Sequence, residues 1–203
     1  MFILASASPR RKEILSDYFC FEVIVSDDDE IYNHDLNLYE QCVDIREMRH
    51  LSPSSMSLDL AKQKGYAVFK DHPNDIVLAC DTIVVFENEI FNKPINKEDA
   101  KNMLKRLSGN KHLVLSSYII ISKEIEITKT VKSVVYFNEL DDELIERYVA
   151  TNSPMDKAGA YGIQDNNFNL VKKIKGSFNN VKGLPIEQIL KDIKKYKINL
   201  QQK

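Results

Sequence analysis

The chain has 203 residues, 43% of them hydrophobic, which suits one domain with a proper core, built if need be as two lobes. Its 28 basic and 30 acidic residues give a formal net charge of −2. That balance excludes the global positive field of a nucleic-acid binder, so an anionic ligand must be held by a local basic cluster.

In chain order, Phe2–Ala5 reads as a short buried strand. Ser6-Ala7-Ser8 is a loop, and Pro9 suits the first position of a helix running to about Tyr18. Phe21–Val25 reads as a second strand, followed by an acidic turn, Ser26–Glu30. From Ile31 to Pro53 no clean period emerges, and residues 31–57 read as a long loop or insertion. Ser57–Phe69 reads as a helix with Leu58, Ala61, Gly65 and Val68 on one face. Ile76–Ala79 is an apolar strand, and Ile83–Phe86 continues it past Asp81. Glu87–Glu89 is a turn. Asn96 caps a helix to Leu107, stopped by Gly109. Leu113–Ser122 and Ile125–Phe137 form a hairpin. Asp141–Ala150 is helical, Met155–Asp165 is a glycine-bearing loop, and Leu170–Ile174 is a strand. Gly176–Gly183 reads as a turn, Pro185 opens a last helix to about Tyr196, and Leu200–Lys203 reads as frayed. Strands and helices interleave around one clear hairpin, so the class is α/β with a mixed sheet and flanking helices.

The cysteines, Cys20, Cys42 and Cys80, are odd in number and lack CxxC spacing. They read as reduced thiols of a cytoplasmic protein rather than a disulfide or zinc framework. The N-terminus places arginines after a short apolar run, the reverse of a signal peptide, and no stretch is long enough to cross a bilayer.

Five constellations carry chemistry. Ser6-Ala7-Ser8-Pro9-Arg10-Arg11 takes a strand through a loop into a helix N-terminus, a geometry suited to phosphate. Arg10 and Arg11 oppose the helix dipole there at about 0.3–1 kcal/mol each, which points to a compensating anion; the plain alternative is two solvated arginines. Asp81 interrupts an apolar run and is expensive there unless paired or bound to metal. At a strand end opening into a cleft it would serve as general base or metal ligand; the alternative is a bulge or cap at a strand break. Asp27–Glu30 is an acidic run able to hold Mg²⁺ or simply solvated. Lys64, Lys93 and Lys157 are scattered point charges, good partners for phosphate or plain surface residues. In Asp156–Gln164, small residues let backbone approach a ligand, and the Gln164 amide matches uracil, thymine or, flipped, cytosine. His112 reads as structural, and nothing pairs Cys80 with a histidine as a nucleophile.

Taken together, these segments resemble the Maf family of nucleotide pyrophosphatases. The resemblance runs in order through Leu4–Arg11 with Glu13-Ile14-Leu15, Asp29-Glu30, Leu60-Ala61 with Lys64, Asp81–Val84, and Lys93-Pro94. It continues through Ala100 with Met103-Leu104, Leu107–Gly109 with His112, Asp156–Gln164, and Gly176 with Asn180-Val181 and Gly183–Pro185. It implies a Maf/Ham1-like fold of two lobes around a cleft, one domain over residues 1–203. It also implies water attack on the α-phosphorus of a nucleoside triphosphate, releasing pyrophosphate, with Mg²⁺ or Mn²⁺. By motif, Asp81 matches the catalytic aspartate, with Lys93 and Glu30 beside it in the catalytic set. Glu30 and Asp81 match the metal carboxylates. Ser6, Ser8, Arg10, Arg11 and Lys64 match the triphosphate-binding set, to which Lys93 also belongs, and Gln164 matches the base position. The DKAGAYGIQ segment is similar to the branch acting on dTTP and UTP. A homodimer in the cytoplasm, with no nucleic-acid or membrane partner, goes with the resemblance. The alternatives are a pyrophosphatase for nucleotides such as 7-methyl-GTP, a regulator of septum formation, and a plain nucleotide-binding module.

The chain departs from the family pattern in places. The stretch between Glu30 and Leu60 is long for the family, Asn152-Ser153 stands for a usual Gly-Glu, and Ser116-Ser117 for a common Thr-Gly. Asp165 replaces a usual glycine, and a carboxylate beside Gln164 is expected to repel phosphate or change base preference.

Overall fold

A computed structural model describes residues 1–25 and 52–201. Glu30, Cys42, the acidic turn at 26–30 and the proposed loop as far as residue 51 lie outside the described residues. The described chain is a mixed α/β protein. It divides into two compact units, the first made of Met1–Asp81, Ser116–Val131 and Gly183–Lys203, the second of Thr82–Leu115 and Lys132–Lys182.

Seven strands form one sheet: β1 Phe2–Ala5, β2 Glu22–Val23, β3 Ile76–Phe86, β4 Glu89–Phe91, β5 Lys111–Ile121, β6 Glu126–Phe137 and β7 Val171–Lys175. Their order is β2-β1-β3-β5-β6-β7, with β4 paired to β3. β1 runs parallel to both β2 and β3, whereas β3–β4 and β6–β7 are antiparallel. The β3–β4 turn is Glu87-Asn88, both at positive φ (51° and 66°), the backbone of a two-residue hairpin.

In the first unit, alternation along the strands sorts side chains onto two faces. Phe2, Leu4, Leu78, Cys80, Tyr118 and Ile120 share a core with Ile14 and Leu15 of α1 (Pro9–Ser16) and with Ile186, Ile189 and Ile193 of the last helix (Ile186–Lys195). Each isoleucine buried there contributes about 1.5–3 kcal/mol. Ile3, Ala5, Val77, Ala79, Ile119 and Ile121 pack with Val68 of α2 (Pro53–Asp71). The second unit gathers Val84, Phe86, Phe91 and Val135 with Ala100, Leu104 and Leu107 of α3 (Lys97–Leu107) and Ile145, Tyr148 and Val149 of α4 (Asp142–Ala150).

The structure corrects several expectations. The helix expected from Ser57 begins at Pro53, because Ser52 caps it: its hydroxyl accepts from Ser55 N–H at 3.3 Å, with proline in the first turn. So residues 53–57 belong to a helix, and its buried face is Ser57, Ala61, Gly65 and Val68, with Leu58 only half-buried. β3, by contrast, runs unbroken through Asp81, as the expected continuation over Ile83–Phe86 requires. The turn expected over Gly176–Gly183 contains a short helix, α5 (Phe178–Lys182), whose Asn180 N–H bonds the Ser177 hydroxyl at 2.9 Å; the last helix is therefore α6. At the far end, Leu200 packs on the first unit's core and the Gln201 carbonyl accepts from Cys20 N–H at 3.1 Å, so fraying does not begin at residue 200. Among the described residues no helix is long and apolar enough to cross a membrane.

Candidate active site

The first unit assembles most of the expected residues. β1 and β3 are parallel with Ala5 opposite Ala79. β1 stops there and hands over to Ser6, while β3 continues to Cys80 and Asp81. The Ser6–Arg11 loop thus leaves the carboxyl end of one strand beside Asp81 on the next, the position where parallel sheets place ligands.

Local bonds shape that loop. Ser6 is buried, and its Oγ accepts from Ser8 N–H at 3.3 Å and from Arg11 Nη1 at 3.0 Å. Arg11 Nε donates to the Gly183 carbonyl at 2.9 Å. Ser8 caps α1, its Oγ accepting from Arg11 N–H at a long 3.5 Å. Arg10 is half-buried in the first turn, which holds no acidic residue. Two arginines therefore stand in the first turn at the positive end of a helix, the setting in which an incoming anion is best stabilised.

Asp81 does not end its strand. It is a buried carboxylate in mid-strand, and Lys64 of α2 compensates it: Nζ donates to Oδ1 at 2.9 Å. The period of two explains the partner, since Asp81 shares a face with Val77 and Ala79, the face α2 covers. α2 comes close enough because Gly65 has no side chain: a Cβ there would lie 2.6 Å from Ile119 Cγ2. Cys80 points the other way, and its Sγ donates to the Gly183 carbonyl at 3.3 Å. One carbonyl thus serves both the arginine of the loop and the residue before Asp81. Sequence reasoning missed this role of Gly183, although the Gly183-Leu184-Pro185 motif marks the place, and it read Gly65 only as part of an apolar face.

The second unit holds the other candidates. Lys93 is exposed in the segment after β4, and the preceding residue's carbonyl, on Asn92, accepts from Gly159 N–H at 3.1 Å. The Lys93 segment is thereby tied to the glycine-bearing loop. Gly159 requires its residue type: φ is +71°, and a Cβ would meet Val84 methyls at 3.1 Å. Ala160 follows in the same left-handed region at φ 59°, a strained conformation for a side-chain-bearing residue. Gln164 is exposed at the end of this loop. Lys157 does not reach for a ligand: its Nζ bonds the Ser153 carbonyl and Asp156 Oδ1, both at 2.6 Å. The Asp165 carboxylate expected to disturb a substrate is engaged by two hydroxyls, Tyr148 at 2.5 Å and Ser153 at 2.8 Å. His112 is structural as expected. It is buried, bonds Tyr161 Oη at 2.8 Å, stands edge-on to Phe137, and burial pushes its imidazole down to about 4.

The model of a family described as Maf-like protein matches residues 1–196. A dTTP/UTP pyrophosphatase of Bacillus cereus (strain B4264) is 40% identical over 199 residues, covering 98% of this chain and 96% of the relative. One from Bacillus mycoides (strain KBAB4) is 40% identical over 195 residues, covering 96% and 94%. Among solved structures, the Staphylococcus aureus Ham1 protein aligns with a TM-score of 0.49 at 13% identity, over 96% of this chain and 98% of that one.

Proposed function

The chain belongs to the Maf family, and from that membership we propose that it is a nucleoside triphosphate pyrophosphatase that converts dTTP and UTP to the monophosphate and pyrophosphate. The observation that carries the reading is the register of β1 on β3. It sets a loop with two arginines at a helix N-terminus beside a buried carboxylate held by a lysine.

Hydrolysis of a triphosphate needs positioning and neutralised charge more than covalent help. Ser6, Ser8, Arg10, Arg11 and Lys64 supply donors and cations for the phosphates. Asp81 takes the proton of the attacking water as the oxygen–phosphorus bond forms at the α-phosphorus and the bond to the leaving pyrophosphate breaks. Lys64 on Oδ1 orients the carboxylate for that task. In the second unit Lys93 takes a catalytic phosphate contact and Gln164 reads the base. The nucleotide family acted on by the relatives, and the glycine-bearing loop that lets backbone approach a ring, support the base assignment.

A divalent cation, Mg²⁺ or Mn²⁺, belongs to the reading. Among the described residues no three His, Cys, Asp or Glu side chains cluster. Mg²⁺ takes one or two protein carboxylates and completes its shell with water and substrate phosphate. Asp81 would hold it, with Glu30 as the second ligand; when bound it neutralises charge on the leaving pyrophosphate. We read the two units as one Maf-like domain, and propose a homodimer and a cytoplasmic location, in keeping with the thiols of Cys20 and Cys80.

The test is pyrophosphate release from a panel of nucleoside triphosphates with Mg²⁺ or Mn²⁺, comparing wild type with Asp81→Asn. The wild type is expected to cleave UTP and dTTP, and the variant to lose about 10²–10⁴-fold in kcat, the range for a removed general base. Undiminished turnover by the variant would remove Asp81 from the reaction. Preferential cleavage of 7-methyl-GTP would overturn the pyrimidine assignment.

A further inference from the structure

One phenol fastens the turn that carries Gln164 on both sides. Gly162, two residues before, donates its N–H to Tyr148 Oη at 2.8 Å. Asp165, the residue after, accepts the Tyr148 hydroxyl proton on Oδ2 at 2.5 Å, and the same oxygen accepts from Ser153 Oγ at 2.8 Å. Ser153 is in turn held by Lys157 Nζ, through its carbonyl at 2.6 Å and its hydroxyl oxygen at 3.2 Å. A carboxylate, two hydroxyls and an ammonium thus form one connected set, stronger than neutral bonds because charge takes part. The backbone closes the turn between these pins: Asp165 N–H bonds the Gly162 carbonyl at 3.2 Å, and Asn166 N–H bonds the Gln164 carbonyl at 2.8 Å.

The anchor itself cannot drift. Tyr148 is fully buried on α4 and its ring lies 4.8 Å from that of Phe168. Space against the turn is filled, since a Cβ on Gly162 would lie 2.5 Å from Asp165 Oδ2 and 2.9 Å from Lys157 Cε. Gln164 is exposed on a backbone pinned on either side.

A glutamine amide presents a donor and an acceptor, and flipping it exchanges them, so its chemistry alone fits uracil and cytosine equally. Preference between them requires that the amide be held at one place and angle. We propose that Asp165 is a positioning residue for base recognition: through Tyr148 and Ser153 it fixes the Gln164 turn and so sets the preference for uracil and thymine over cytosine. This rests on the reading of Gln164 as the base contact. Asp165 acts through the turn and does not touch the nucleotide.

The experiment measures kcat and KM for UTP, dTTP and CTP, with melting temperature, in wild type, Asp165→Ala, Asp165→Asn and Tyr148→Phe. Asp165→Ala is expected to raise KM for UTP about tenfold and lower the UTP-over-CTP ratio of kcat/KM about tenfold, the scale of one lost hydrogen-bonded contact. Its kcat for UTP should stay within about threefold of wild type, because the phosphate contacts are untouched. Tyr148→Phe should behave alike, since it releases both pins. Asp165→Asn keeps an oxygen for both hydroxyls and should recover most of the ratio. If the alanine and phenylalanine variants melt lower while KM and the base ratio stay as in wild type, Asp165 is structural only and the proposal falls. Should Asp165→Ala fail to fold, Ser153→Ala decides by the same ratio. A wild type that releases no pyrophosphate from UTP or dTTP sinks the underlying function as well; an active wild type with unchanged variants sinks this inference alone.

Discussion

Gly65→Ala would push a methyl group into the place where α2 meets the sheet. Its Cβ would lie 2.6 Å from Ile119 Cγ2 and 3.5 Å from Ala79 Cβ. Carbon atoms rest at about 3.5–4.0 Å, so the helix or Ile119 must retreat by about 1 Å. Ile119 is fully buried and stiff at χ1, which leaves it little room to turn aside. Overpacking of this kind costs about 1–3 kcal/mol, and the better helix propensity of alanine returns about 1 kcal/mol. A net loss of about 1 kcal/mol lowers the melting temperature of a chain this size by about 2–4 °C. The effect on turnover should be out of proportion, because the residue next to Gly65 is Lys64, whose Nζ is set 2.9 Å from Asp81; a shift of about 1 Å there costs up to about 10²-fold in rate. A double-mutant cycle with Ile119→Ala isolates the contact. The second substitution removes the opposing methyl, so the pair should be at least about 1 kcal/mol less damaging than the sum of the singles. Additive stabilities within about 0.5 kcal/mol, together with unchanged kcat/KM, would refute the packing argument.

Two further predictions concern charge. Arg11 uses Nε and Nη1 on different partners, Gly183 and Ser6, a forked arrangement that an ammonium cannot reproduce. Arg11→Lys is therefore expected to raise KM for UTP nearly as much as Arg11→Ala, and substantial rescue by lysine would show that only net charge matters. His112 makes stability depend on pH. Its imidazole sits at about 4 in the folded chain against an ordinary 6.5, so the unfolded chain takes up the proton first. Its contribution is complete above about pH 6.5 and is lost as pH falls toward 4, about 3 kcal/mol in all. Urea midpoints at neutral and mildly acid pH measure it; the gap between them should shrink in His112→Asn, and an equal gap in both proteins would be the contrary result.

What could be read from the sequence was what is decided locally. The buried run of β1, the Asn96 cap with its 2.8 Å bond from Asp99 N–H, and the stop at Gly109 all rest on neighbours a few residues apart. The Ser6–Arg11 loop was legible for the same reason: its helix-opening proline and its misplaced cations lie in six consecutive residues. Asp81 was recognised as costly, yet its remedy lies on a helix 17 residues earlier and could not be found by period or spacing. For that reason the sequence suggested a strand end where the strand in fact continues. Ser52-Pro53 carried a helix-start signal that was hidden by the polar stretch before it. The second unit's loop shows the reverse situation. Asp165 stood out in the sequence as an added charge near the base position, but only folding shows that Tyr148 and Ser153 consume it.

The bond from Arg11 to the Gly183 carbonyl joins residues 172 apart in the chain. On a ribosome moving at about 5–20 residues per second, about 10–30 s separate the synthesis of its two ends. During that interval the arginine loop, Asp81 and Lys64 have all been made, but the carbonyl that locks the loop and the α6 isoleucines that close its core have not. The first unit is a discontinuous body whose opening segment must wait for its final one. A nascent chain therefore carries the segments of the proposed phosphate site before the carbonyl that holds their arginine loop, and that loop is completed only when the last segment docks.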